Sequence, residues 1–176
     1  MEIYILGLDH EVQTYDGNCT VEKKNNFEML LRELVSERRI EFIGDETYPE
    51  RNAISKFVAK SLQVDWEPIE MSVKAREELG IADEQRTQRF KPIFENNLIV
   101  GSERVPVLSD GIREEYMMWR TLTKANAAQS ILVLCGMEHV DSLGERFKKA
   151  APLAKITLDS LSKRDWYSLP DREQEA

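Results

Sequence analysis

The chain has 176 residues, 41% of them hydrophobic, and a formal net charge of −8. That length suits one domain with its own core. An acidic surface repels phosphate backbones, so no nucleic-acid partner is expected: the basic pairs at 23–24, 38–39 and 148–149 all sit among acids.

Taken in chain order, EIYIL (2–6) is short, β-branched and apolar, the pattern of a buried strand. DHEVQTYDGN (9–18) reads as a polar loop with a turn at Asp16–Gly17. Residues 25–39 carry Phe27, Leu30, Leu31 and Leu34 at helical spacing, with Asn25 or Asn26 as cap. IEFIG (40–44) is a second strand. Residues 49–63 predict a helix with Pro49 in its first turn and a stripe of Ile54, Phe57, Val58 and Leu62. VDWEPIEM (64–71) predicts a third strand, and 72–80 a short helix from Ser72 to Gly80. Residues 83–97 read as a charged helix or irregular segment, and 98–108 as a short extra strand limited by Pro106. A helix follows over 109–126, with Ile112, Met117, Trp119 and Leu122 as packing positions. SILVLCG (130–136) is the clearest buried strand. It is followed by a helix over 139–150, a strand over 154–160 and a frayed tail.

Continuous apolar strands alternating with amphipathic helices predict an α/β fold: a mainly parallel sheet with helices on both faces, one domain over 1–160 and a tail over 161–176. No apolar run approaches the roughly 18 residues of a membrane span, so no membrane is expected as a partner. The chain opens on a strand rather than a signal peptide, and Cys19 and Cys135 are too few for a disulfide framework. A cytoplasmic setting with reduced thiols is the expectation. A homo-oligomer is compatible with the pattern, which does not specify one.

The two histidines share a pattern. GLDH (7–10) and GMEH (136–139) each follow a strand with Gly, two residues and His. In parallel sheets, ligands bind beyond the carboxyl ends of the strands, so His10 and His139 can reach one edge despite their separation in sequence. The second strand runs into GDETYPER, which supplies Asp45, Glu46 and Arg51, and the third supplies Glu70. Imidazoles and carboxylates that converge are acid/base catalysts, or ligands (His10, His139, Glu46) for a divalent metal such as Mn²⁺, Co²⁺ or Zn²⁺. Arg51 can hold a carboxylate or steady an oxyanion. Gly7 and Gly136 allow close backbone approach, and their amides can donate to a bound anion or cofactor. Each charged residue alone is equally explained by solvation, and Arg113 and Glu114 by helical ion pairing.

At these residues the chain resembles the TIKI/TraB superfamily, which includes TraB/PrgY-type proteins, erythromycin-esterase-like enzymes and the haem-binding ChaN group. The hallmark is a pair of Gly-x-x-His motifs with a Glu and an Arg between them, here Gly7/His10 and Gly136/His139 with Glu46 and Arg51. A further family feature, an Arg followed by an acid and a Met on the helix before the second motif, is matched by Arg113, Glu114 and Met117. The match follows the order of residues 2–150, without 81–108 and without the membrane segment of the TraB type. The resemblance implies an α/β fold with His, Glu and Arg in one cleft. Three functions follow from it: a hydrolase of ester or peptide bonds acting on a small molecule or peptide, a haem- or metal-binding module without turnover (Tyr15 being an added haem ligand), or a non-catalytic regulatory protein. In the hydrolase, His10, His139 and Glu46 activate water directly or through a metal, while Arg51 and Arg113 orient a carboxylate or the oxyanion.

Overall fold

The computed structural model describes residues 1–79, 90–95, 98–104 and 108–168, with the backbone alone over 90–108. Its elements are β1 (Glu2–Leu8), α1 (His10–Gln13), α2 (Val21–Arg38), β2 (Phe42–Asp45), α3 (Ile54–Leu62), β3 (Asp65–Pro68), α4 (Val73–Glu78), β4 (Phe90–Glu95) and β5 (Leu98–Arg104). They continue as α5 (Leu108–Ala125), β6 (Ser130–Gly136), α6 (Val140–Ala150), β7 (Lys155–Ser160) and α7 (Asp165–Ser168), with single 3-10 turns at Met137–His139 and Leu161–Lys163.

Five strands form one all-parallel sheet in the order β3-β2-β6-β1-β7. The alternation of side chains along each strand divides the core in two. Tyr4, Leu6, Leu8, Ile43, Leu132 and Leu134 pack with α2 and α3 on one face. Ile3, Ile5, Phe42, Ile131, Val133 and Cys135 pack with α5 and α6 on the other. Both faces are covered, which is why the strands read as unbroken apolar runs. β1 and β6, paired from Glu2–Ser130 to Leu8–Gly136, are the central pair, and they carry the two Gly-x-x-His motifs to the same edge.

Several boundaries differ from the sequence expectation, each for a local reason. The second helix starts at Val21, because Thr20 caps it by accepting a hydrogen bond from the Lys23 amide. The third starts only at Ile54. Residues 52 and 53 are held extended by a bridge between Thr14 and Ala53 and by the Tyr15 amide bonding Asn52 O, so Pro49 and Arg51 lie outside it. Ser72 caps α4 as expected. Residues 90–95 are a strand, not a helix, paired antiparallel with β5. Residues 81–89 and Pro106 lie outside the described residues. The packed chain also continues past 160: Leu161 is fully buried, and Trp166 and Tyr167 pack on the α2 side of the core. The frayed stretch expected over 169–176 lies outside the described residues. Among the described residues no helix is long and apolar enough to cross a membrane.

Candidate functional site

Five elements deliver polar side chains to the carboxyl edge of the sheet. α1 follows β1 at once and carries His10 and Gln13 one turn apart, while the 3-10 turn after β6 carries His139. Asp45 closes β2 and Glu46 follows it, with the Glu46 amide still bonding Leu134 O of β6. Glu70 follows β3. α5 buries Asp110, Arg113, Glu114, Met117, Met118, Thr121 and Ala125, a single stripe at helical spacing. The first turns of that stripe are polar and meet the strand ends, and the later turns are apolar and meet the sheet.

The centre of the cluster is Glu46, 3% exposed. Its Oε1 accepts from Arg113 Nη2 at 2.7 Å and lies 3.6 Å from His139 Nε2 and 3.9 Å from His10 Nε2. Its Oε2 accepts from the Gly136 amide at 2.7 Å. Arg113 also donates to both oxygens of Glu70 and lies 3.5 Å from Asp110. His139 Nδ1 meets Glu114 Oε1 at 2.8 Å, and Glu114 in turn accepts from Ser142 and Arg146. On the opposite side of the strand end, Asp45 accepts from Gln13 Nε2 and Ser55 Oγ.

Burial and charge set the protonation of these groups. Desolvation pushes the Asp45 carboxyl up to about 6, against the hydrogen bonds from Ser55 and Gln13. Desolvation also raises Glu70, helped by the charge of Glu46 and opposed by Arg113. Burial alone would lower Arg113 and His139. The bonds and charges of Glu70, Glu46 and Asp110 outweigh it for Arg113, and Glu114 and Glu46 outweigh it for His139, so both are raised and favour the cation. Glu114 is the mirror case: burial would raise it, and His139, Ser142 and Arg146 hold it below the usual range. Burial pushes the Cys135 thiol up, which suits an inert core residue.

A cavity of about 400 Å³ opens onto this cluster. His10, Gln13, Glu46, Glu70 and Arg113 line it, together with Glu11, Asn18, Tyr48, Arg51 and Arg76. Of the sequence-predicted residues, His10, His139, Glu46 and Arg113 therefore meet in one place. Arg51 stands apart from the buried cluster: its side chain is half exposed at the cavity, 3.8 Å from Asp16. The anion that the Gly136 amide binds is the Glu46 carboxylate itself. Gly7 serves packing, since a Cβ there would lie 2.4 Å from Val140 Cγ2 and 3.1 Å from Met137 Cα. Tyr15 donates to Glu28 at 2.7 Å and stacks edge-on with Phe57. Trp119 is 56% exposed rather than packed, because the buried stripe runs through Met117, Met118 and Thr121 instead.

The sequence did not single out Gln13 and Asp110, and it marked Asp45 only as a polar group at the end of the second strand. Gln13 sat in a presumed loop, and its three-residue spacing from His10 was the available signal. Asp110 extends the inward stripe of α5 by two turns from Met117, a signal visible only when polar residues are counted in the stripe.

Both imidazoles turn Nε2 toward one carboxylate oxygen, and His139 Nδ1 meets Glu114 as the outer nitrogen of a metal-ligating histidine meets a carboxylate. That oxygen already accepts from Arg113, and the neighbouring Glu114 and Glu46 raise His139, which works against the neutral form that ligates a metal. Among the described residues no group of three His, Cys, Asp or Glu is placed to hold a metal ion. Haem needs an apolar slot beside its axial ligand, and the cavity is instead ringed by charged and polar side chains. No protein-family model, curated protein or solved structure matches the chain.

Proposed function

We propose that the protein is a hydrolase of ester or peptide bonds of the TIKI/TraB-like type, with His10 as general base. The observation that carries this reading is the approach of both Nε2 atoms to Glu46 Oε1, with His10 and Glu46 lining an open cavity and His139 buried behind them. A water bonded to both His10 Nε2 and Glu46 Oε1 spans their 3.9 Å gap. His10 Nε2 takes a proton from that water as its oxygen attacks the substrate carbonyl carbon. The same proton then passes to the departing alkoxide or amine, which leaves as alcohol or amine. Arg51, at the cavity and exposed, is placed to hold a substrate carboxylate or the developing oxyanion. Arg113 holds Glu46 in place and balances its charge, with His139 packed beside the same oxygen.

The second reading, a divalent metal held by His10, His139 and Glu46, is favoured by the orientation of the two Nε2 atoms. It requires Arg113 to release Oε1 and His139 to be neutral.

One experiment separates these readings. Protein purified without a His tag is analysed for metal, then screened against ester and peptide substrates with and without Mn²⁺, Co²⁺ or Zn²⁺. Turnover without added metal, lost by about 100-fold or more in both His10→Ala and His139→Ala, is the expected result. Turnover that both variants retain in full contradicts the assignment.

A further inference from the structure

The hydrogen bonds behind His10 have a fixed direction, and that direction carries chemical information. The Trp66 indole Nε1–H can only donate, and it donates to Ser55 Oγ at 2.9 Å. The Ser55 hydroxyl hydrogen is thereby directed to Asp45 Oδ2. Gln13 Nε2 faces both Asp45 Oδ1 and the backbone oxygen of Glu46, the latter at 2.9 Å. A carbonyl oxygen can only accept, so this end of the Gln13 side chain is its NH₂. The other end, Oε1, therefore meets His10 Nδ1 at 2.8 Å. An amide oxygen cannot donate, so His10 Nδ1 must bear the hydrogen.

Burial makes this arrangement rigid. Gln13 is 2% exposed, and Asp45 and Ser55 are fully buried. An inverted amide would set its oxygen against both Asp45 Oδ1 and the Glu46 backbone carbonyl, neither of which offers it a hydrogen. The amide is held by His10 of α1, by Asp45 of β2 and by the Glu46 carbonyl just beyond it, and Asp45 is held in turn by Ser55 of α3, which accepts from Trp66 of β3.

We propose that Gln13, anchored by Asp45, is a positioning residue that fixes neutral His10 as the Nδ1–H tautomer and so presents a bare Nε2 lone pair to the cavity. An isolated imidazole favours the opposite tautomer, with its hydrogen on Nε2, which would point a donor at Glu46 and the attacking water. The role in turnover rests on the hydrolase reading above. The tautomer itself does not, and it can be read without any substrate.

The test uses the full chain labelled with ¹⁵N, and long-range proton–nitrogen correlation spectra of His10 above its titration, assigned by comparison with His10→Ala. The native protein is expected to show Nδ1 as the protonated nitrogen and Nε2 as the bare one. Gln13→Met, which keeps the volume and removes both polar ends, is expected to shift His10 toward Nε2–H while the His139 signals stay unchanged. Where turnover is found, kcat in Gln13→Met is expected to fall about 10–100-fold with little change in KM. A native His10 that carries its hydrogen mainly on Nε2 overturns the proposal, whether or not Gln13→Met folds. An unchanged tautomer in a folded Gln13→Met does the same. The assigned tautomer together with no hydrolytic activity defeats the hydrolase reading alone.

Discussion

Replacing Arg113 by Met is expected to destabilise the protein by about 3–5 kcal/mol, the range seen when one partner of a buried ion pair is removed. Arg113 is 8% exposed and answers three carboxylates at once: Glu46, Glu70 and Asp110. Met fills a similar volume but leaves all three acids buried without their cation. Against a typical folding stability of about 5–15 kcal/mol, such a loss brings the domain near unfolding at room temperature. Arg113→Lys should recover only part of it, since an ammonium cannot span Glu46 and Glu70 as the planar guanidinium does. Converting Glu46 and Glu70 to Gln in the Met variant should restore stability, because the repulsion and desolvation disappear together. Urea denaturation of the four proteins reads this directly. A loss below about 1 kcal/mol in Arg113→Met would mean that these charges are solvated rather than buried.

Stability is also expected to peak on the acid side and to fall toward alkaline pH. Asp45 titrates near 6 in the fold against 3.8 unfolded. Between those values the folded state holds more protons, so stability declines as pH rises through that window. The shift corresponds to roughly 3 kcal/mol. Glu70, raised by burial, acts in the same direction. His139 adds a second limb: its raised folded value means that its contribution is full below the unfolded histidine value and is lost as pH rises through the folded one. Glu114 and Asp159 act oppositely. Both are held low in the fold, so their contributions are lost as pH falls below the usual carboxylate range. The urea midpoint should therefore be higher at pH 5 than at pH 8, and Asp45→Asn should flatten the limb between pH 4 and 6. Equal midpoints at the two pH values would contradict the burial of Asp45.

The parallel sheet was legible because strands covered on both faces are apolar at every position, and EIYIL and SILVLCG are such strands. The convergence of His10 and His139 was legible for a related reason. Equal spacing from two parallel, adjacent strands puts equal residues at one edge. Glu46 could be read from its place just past β2. Arg51 could not be placed correctly, because the bridge between Thr14 and Ala53 delays the start of α3, and that bridge joins segments nearly forty positions apart. Gln13 was hidden for the opposite reason. A single helical turn leaves too short a period to detect, although the turn buries Val12 and Gln13. Trp119 shows the limit of apolarity as a guide, since the helix spends its inward positions on Arg113 and Glu114 and leaves the indole outside.

The central claim is that the two imidazoles share one carboxylate. Because the chain has just two histidines, proton NMR can follow both rings without ambiguity. Replacing Glu46 by Gln removes a negative charge beside each ring, so the ring proton signals of His10 and His139 should both move, and the His139 midpoint should fall. His139→Gln should likewise displace the His10 ring signals. His10 ring signals that are identical in the native protein and both variants would place the two rings in separate environments and contradict the account.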